Sequence, residues 1–321
     1  MGVFTQLDHA AVREIARAFD LGTVEAFRAI AAGTINSNFE VITARGRWFL
    51  RINEGKAEPD VAWEARLVTA LAAAGVATPP PLVARDGRPY LAHAGKWVSA
   101  FPWRAGHHLA PAEVTPPLAD ALGAQLAQLH VAGLALPADW RRTSIYDHAH
   151  LVERYAAFRA SSDPALARAI EVLGEELAVA REASAIRARA TAGLIHGDLF
   201  RDNVLWDGGQ IAAILDFEQA SGGSLVYDLA VCLNDWCWTD GPRLDLCAAL
   251  LAGYQRIRPL PAADKEALPT EVRAAAARFT ITRITDVYLA KVQNPEKDFR
   301  AFLARCDAWR GQSLGELTSL M

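Results

Sequence analysis

The chain has no uninterrupted apolar run of about 18 residues, so nothing in it reads as a membrane-spanning helix. Its first residues, MGVFTQLDHAAVREIARAF, place no basic region ahead of an apolar stretch, and no secretory leader is expected. Basic residues are not in excess: 33 Lys and Arg stand against 37 Asp and Glu, a formal net charge of −4. Such a balance gives no general field for nucleic acid or anionic lipid. A polyphosphate ligand would need a local site, with help from a metal. Cysteine is scarce, and Cys232, Cys237, Cys247 and Cys306 form no C-x-x-C pair. That spacing argues against structural zinc and for buried, reduced thiols in a cytoplasmic protein. Internal repeats and low-complexity segments are also missing.

What remains is a chain of 321 residues, 52% hydrophobic, enough to bury a core in each of two lobes. Asp8 reads as the N-cap of a helix running to about Phe19. Val24–Ile30, Phe39–Thr43 and Trp48–Ile52 read as strands, the last two joined by a short hairpin through Arg45-Gly46-Arg47. Residues 61–74 read as a helix ending at Gly75. Two further strands are expected near 81–84 and 88–92, on either side of the Asp86-Gly87 turn. Trp97–Phe101 is the last β-like run before Pro102. Beyond it, residues 116–132, 148–160, 164–190, 224–238, 243–256, 270–292 and 296–309 carry helical periodicity. Short apolar runs around 193–196, 204–206 and 211–217 interrupt them, and 259–269 reads as a loop. The expected fold class is α+β: an N-terminal antiparallel sheet lobe with one long helix (1–101), then a mostly helical C-terminal lobe (102–321).

The most informative segment is Leu194-Ile-His-Gly-Asp-Leu-Phe-Arg-Asp-Asn-Val-Leu205, followed by Ile211-Ala-Ala-Ile-Leu-Asp-Phe217. An apolar run ends at His196, a polar loop presents Asp198 and Asn203, and a second run delivers Asp216. The steps are five residues and then thirteen. That is the pattern H-x-D-x-x-x-x-N with a later D-F, found in kinase catalytic loops. Phosphoryl transfer needs charge neutralised on a triphosphate, and hard oxygen ligands suit Mg²⁺. Asn203 and Asp216 are therefore the expected metal ligands. Asp198 is the expected acceptor, or orienter, of the proton on the attacking hydroxyl. His196 reads as structural support for the loop. Any one of these residues alone is an ordinary loop residue; four residue types at fixed spacing are not.

Upstream, Ile30-Ala-Ala-Gly-Thr-Ile-Asn-Ser-Asn-Phe39 joins two strands, and its backbone amides could approach phosphates. Gly33 offers a permissive backbone; Asn36, Ser37 and Asn38 offer donors. Arg51 occupies a strand position where kinases place a lysine against the phosphates, and Glu64 on the next helix is positioned to pair with it.

HGDLFRDNVL with ILDFE, and LGAQLAQLH at 122–130, resemble the aminoglycoside phosphotransferase and choline kinase superfamily. That resemblance implies a bilobal, protein-kinase-like fold with ATP and Mg²⁺ as cofactors. The lack of an A-P-E segment sets the chain apart from protein kinases. GTINSNF, HGDLFRDNVLW and Val226-Tyr-Asp-Leu-Ala-Val-Cys-Leu-Asn-Asp-Trp-Cys237 together resemble bacterial type II homoserine kinases along nearly the whole chain. The implied reaction is phosphorylation of L-homoserine in threonine biosynthesis. The resemblance also implies that Asp228 braces the catalytic loop. Arg51 departs from it, because the superfamily often has lysine there and these kinases often a neutral residue. A zwitterionic substrate needs a carboxylate clamp, for which Arg283 is the candidate, and an ammonium acceptor, for which Asp202 and Asp235 are candidates. The adenine is expected against the backbone of Ser99-Ala-Phe101. The rival expectations are a kinase for choline, ethanolamine, methylthioribose or an aminoglycoside, and a catalytically dead nucleotide-binding scaffold. Loss of Asp198, Asn203 or Asp216 would have marked the last, and all three are present.

Overall fold

Asp8 does cap the first helix: its carboxylate accepts the Ala11 N–H at 2.8 Å, and α1 runs His9–Ala18. The computed structural model describes residues 4–30 and 36–321, which cluster as two units. The first holds the chain up to Gly106 and residues 212–218; the second holds 107–211 and 219–321. The division thus falls at Gly106 rather than 101. It also returns a short later segment to the N-terminal unit, where Ile214 N–H donates to Ala77 C=O at 2.6 Å.

In the first unit, β1 (Val24–Ile30), β2 (Ser37–Thr43) and β3 (Gly46–Asn53) lead into α2 (Glu58–Ala73), then β4 (Leu91–His93) and β5 (Lys96–Pro102). They form one antiparallel sheet in the order β1-β2-β3-β5-β4. Alternate residues of β2, β3 and β5 (Phe39, Val41, Leu50, Ile52, Val98, Ala100) pack with Val12 and Ile15 of α1 and with Phe19, which follows it. Fully burying side chains of this kind contributes roughly 1.5–3 kcal/mol each. Helix α2 starts three residues before the expected position. Pro59 lies in its first turn, where no intrahelical donor is needed, and Glu58 and Asp60 suit the positive end of the dipole.

The strand expected near 81–84 does not form. Pro79, Pro80 and Pro81 lack the N–H groups a ladder needs, and the segment contributes single bonds such as Leu82 N–H to Ala100 C=O at 2.7 Å. The hairpin lies instead between β4 and β5, turned by Ala94 and Gly95 with φ of 48° and 77°. Two consecutive left-handed residues make the type I′ turn that matches strand twist.

The second unit contains α3 (Pro116–Ala135), α4 (His148–Ala156), α5 (Ala167–Glu182) and α6 (Ser184–Arg187), followed by strand β6 (Ala192–Ile195). A hairpin of β7 (Val204–Asp207) and β8 (Gln210–Ile214) comes next, the last three residues of β8 belonging to the first unit, then β9 (Ser221–Ser224), which pairs antiparallel with β6. The chain finishes with α7 (Leu225–Asp235), α8 (Leu244–Ile257), α9 (Ala262–Arg283), α10 (Phe299–Trp309) and α11 (Gln312–Thr318). Helix α9 covers most of the stretch expected as a loop at 259–269. Pro261 sits just ahead of its first residue, and Pro269 is carried inside because Ala267, Leu268 and Val272 bury the surrounding face. Packing has overridden the local penalty of proline. Helices α3 and α8 meet where neither has a side chain. A Cβ on Gly253 would lie 2.0 Å from Asp120 C=O, and one on Gly123 would lie 2.0 Å from Leu250 C=O. All four cysteines are buried and free, as expected.

Candidate active site

The H-G-D loop is fixed from beneath by Asp228. This carboxylate is fully buried on α7, and it accepts the backbone N–H groups of His196 at 2.6 Å and Gly197 at 2.7 Å. Gly197 has φ of +79°, and a Cβ there would sit 3.2 Å from the Gln219 carbonyl, so the turn requires glycine. His196 is buried, and its Nδ1 lies 3.3 Å from the Asp198 N–H. From Asp198 the loop closes on itself. The Asp198 carbonyl accepts from Phe200 N–H and from Asn203 Nδ2, both at 2.8 Å.

Residues 234–237, Asn-Asp-Trp-Cys, hold the same loop from the side. Trp236 Nε1 donates to Leu199 C=O at 2.9 Å, and Asp235 takes Arg201 through its backbone N–H (2.9 Å) and its guanidinium (3.0 and 3.2 Å). Asn234 ties α7 to α9 and α10 by donating to Val272 C=O at 2.9 Å and accepting from Trp309 Nε1 at 3.0 Å. The result is a half-buried Asp198 carboxylate carried on a rigid loop.

Behind Asp228 runs a buried polar chain. Arg258 Nη1 donates to the Tyr254 hydroxyl at 3.2 Å, and that hydroxyl donates to His130 Nδ1 at 2.7 Å. His130 Nε2–H then donates to Asp228 at 3.1 Å. The Arg258 donor at one end and the Asp228 acceptor at the other assign this tautomer. Arg258 also donates to Asp264 at 2.9 Å, and Asp264 accepts Thr191 N–H at 2.7 Å, just ahead of β6. Burial works against the Asp228 charge, but the hydrogen bonds it accepts, from His130 first and from the Gly197 backbone, outweigh it and hold the carboxyl below its ordinary range.

Of the acceptor-site candidates, Asp235 is committed to Arg201, so it acts on the loop. Asp202 has its side chain at the surface; partial desolvation, then the carboxylates of Asp235 and Asp198, push its carboxyl up. Arg283 is half-buried over the Phe302 ring, 4.4 Å from its centroid, with one N–H on Asp298 C=O at 3.2 Å. Asp286, three residues on, pairs with Arg154 at 2.6 Å. Desolvation lowers the Arg283 pKa, opposed by Asp235, Asp202 and Asp198, which places its cation in the field of the loop carboxylates.

The first unit carries the other half of the expected chemistry. Arg51 donates to Glu64 at 2.7 Å, and two residues that sequence reasoning missed complete the cluster. Lys56 bridges Glu64 (3.0 Å) and Glu218 (2.8 Å), and Glu218 lies 3.6 Å from Arg51. The available signal was Glu218's place directly after Asp216-Phe217. Burial opposes the Arg51 charge, yet Glu64, Glu218 and Asp216 outweigh it and raise its pKa. Asn36 reaches the same cluster by donating to Glu218.

Ser37 is fully buried and serves its own unit, accepting Phe4 and Thr5 N–H at 2.8 and 2.9 Å and donating to Glu54 at 2.7 Å. Asn38 is paired with Arg51 in the β2–β3 register. Gly33 lies outside the described residues. Ser99 and Phe101 are interior to β5, opposite Arg51 and Phe49 of β3. Ser99 Oγ accepts from Asn53 at 3.2 Å, and the Phe101 ring lies 5.5 Å from the Arg51 guanidinium.

The donors suit Mg²⁺. Asn203 spends its amide nitrogen on Asp198 C=O, which leaves its oxygen as the ligand it offers. Asp216 holds a carboxylate on a left-handed residue, with φ of 62°. Among the described residues no group of three His, Cys, Asp or Glu side chains is placed to hold a metal alone.

A loop that presents one braced aspartate, an oxygen-donating asparagine and a following Asp-Phe, with a separate paired cation on a sheet, is the equipment of a phosphotransferase. The family model described as "Phosphotransferase enzyme family" matches residues 26–260, and the chain belongs to that family. Homoserine kinase of Gluconacetobacter diazotrophicus is 35% identical over 289 residues, covering 89% of both chains. Homoserine kinase of Azorhizobium caulinodans is 37% identical over 290 residues, covering 89% of this chain and 88% of its own. Among solved structures, an amicoumacin kinase in complex with AMP-PNP, Ca²⁺ and Ami superposes with a TM-score of 0.74. Its identity is 17%, with 98% of this chain and 94% of that one covered, so it supports the kinase-like fold.

Proposed function

We infer that the protein is a homoserine kinase, moving the γ-phosphoryl group of ATP to the side-chain hydroxyl of L-homoserine. The observation that carries this is similarity to homoserine kinases over about nine-tenths of the chain, spanning the braced H-G-D loop.

Asp198 orients the attacking hydroxyl and takes its proton as the new O–P bond forms and the bond to the leaving ADP oxygen breaks. Asn203 and Asp216 offer oxygen ligands to Mg²⁺, which neutralises triphosphate charge when bound. Arg51 and Lys56, each shared between Glu64 and Glu218, are the cations offered to the phosphates. Arg283 is the guanidinium for the substrate carboxylate and Asp202 the carboxylate for its ammonium group. Asp235, occupied by Arg201, supports the loop between them. Adenine binding along Ser99–Phe101 belongs to the same reading, as does a cytoplasmic location.

ADP release with Mg²⁺ and ATP, measured with homoserine, choline, ethanolamine and kanamycin, tests it. Turnover is expected with homoserine alone, and Asp198→Asn should lower kcat by about 10²–10⁴-fold in a folded protein. Strong turnover of another acceptor without homoserine would overturn the assignment.

A further inference from the structure

Gly197 is held between two buried charges of opposite sign. Its N–H goes to the Asp228 carboxylate, and its C=O accepts from Nη1 of Arg278 on α9. Arg278 is 2% exposed, and the Tyr146 and Phe279 rings both lie against its guanidinium, with centroids 4.1 Å away. Nη2 donates to the Gln219 side chain, and Nη1 also reaches the Tyr227 hydroxyl at 3.4 Å. These acceptors are all neutral, and among the described residues no carboxylate forms an ion pair with this cation.

An unpaired guanidinium in the interior is destabilising, and a core that needed only volume at 278 would be more stable with methionine or leucine. What this charge does is orient a peptide. The peptide group between Gly197 and Asp198 presents its C=O to Arg278 and its N–H to His196 Nδ1 at 3.3 Å, so both of its ends are fixed. Its tilt sets the direction of the Asp198 Cα–Cβ bond, and with it the aim of the carboxylate. Glycine at 197 does little to restrain that tilt, so the restraint comes from outside. Gln219 completes it: its carbonyl stands 3.2 Å from where a Gly197 Cβ would sit, and its side chain holds Nη2 of Arg278. Burial opposes the Arg278 charge, but Tyr227 first and Asp198 next outweigh it and raise its pKa, so the cation lies in the field of the carboxylate it aims.

We propose that Arg278 is a positioning residue for phosphoryl transfer, holding Gly197 C=O so that the Asp198 carboxylate stays on the attacking hydroxyl. This rests on Asp198 being the proton acceptor of the kinase reaction. Arg278 has no hydrogen bond or ion pair with Arg51, Lys56, Asp202 or Arg283, so it bears on turnover and not on affinity.

Steady-state kinetics of the full chain test it, with kcat expressed per molecule able to bind AMP-PNP so that only folded protein is counted. Arg278→Met keeps the length of the side chain and removes its charge and donors. It should lower kcat about 100-fold, the effect of moving a reacting group by about 1 Å, with both KM values within about twofold of wild type. Arg278→Lys returns a cation able to reach the carbonyl and should recover about tenfold of that loss. Beside Asp198→Asn, the Arg278→Met change should cost less than about threefold more, because it acts through that carboxylate alone. An arginine that only supports the fold would lower Tm and cost the same factor in both backgrounds. If the Arg278 variants do not fold, Gln219→Leu withdraws just the acceptor of Nη2 and should lower kcat about tenfold. Wild-type kcat in Arg278→Met (or, without it, in Gln219→Leu), a KM that rises as far as kcat falls, no recovery by lysine, or an undiminished effect beside Asp198→Asn would each overturn the proposal. A wild type inactive on every acceptor sinks this and the homoserine kinase assignment together; an active wild type equalled by Arg278→Met sinks this alone.

Discussion

Asp228→Asn is the substitution whose outcome follows most directly from the structure. The side chain keeps its size, but one of the two oxygens that receive His196 N–H, Gly197 N–H and His130 Nε2–H becomes an N–H donor itself. A charge-assisted bond worth roughly 1.5–3 kcal/mol is lost, and a buried donor is left facing a donor at a further cost of roughly 1–3 kcal/mol. The sum, about 2.5–6 kcal/mol, corresponds to a Tm lower by roughly 5–20 °C for a unit of this size. Displacing the Gly197–Asp198 peptide should also reduce kcat about 100-fold in protein that remains folded. The Asp228 pKa is depressed in the folded state, so its contribution is present above about pH 4 and is lost as the pH falls through the folded value. Wild type should accordingly lose stability on acidification below pH ~4, and the variant should lose less. Thermal melts from pH 3 to 7 and steady-state kinetics at neutral pH read all three effects. A Tm within about 2 °C of wild type with unchanged kcat would refute the bracing role.

Other residues give independent tests. Arg51→Ala should raise the KM for ATP about tenfold or more by removing a charge-assisted contact, and an unchanged value would remove Arg51 from the phosphate site. Arg283→Ala should raise the KM for homoserine and leave that for ATP alone; equal effects on both would place the guanidinium elsewhere. Gly253→Ala forces a methyl group to within 2.0 Å of the Asp120 carbonyl, so the α3–α8 crossing must open. A loss of about 3 kcal/mol or more is expected in urea denaturation, and a midpoint equal to wild type would refute the close approach.

The chemistry was legible in the sequence where it is local. Asp198, Asn203 and Asp216 sit on one short stretch at fixed intervals, and the apolar runs around them mark the strands that carry them. The helix at 9–18 and the strands at 24–30 and 96–102 follow from capping and alternation. What stayed hidden depends on distance along the chain. Lys56 and Glu218 meet across 162 residues, and nothing local marks either as the other's partner. Strand β9 is Ser-Gly-Gly-Ser, with no apolar or β-branched residue to announce it, and it is a strand because β6 pairs with it. The prolines at 261 and 269 suggested a loop, whereas burial of the surrounding face makes a helix. Asp235 was a candidate for the substrate ammonium as the acid of the Asn-Asp-Trp-Cys segment, and its pairing with Arg201 is one that nothing local announces.

The buried chain from Arg258 through Tyr254 and His130 to Asp228 points its protons one way along its whole length. With Asp264 it also closes back on Thr191, so one connected set of side chains grips the strand β6 at both ends. Such a set behaves as a single inherited unit. Reversing or deleting one member strands a donor or acceptor on the next, so drift at 130, 228, 254, 258 or 264 is acceptable only as a concerted exchange.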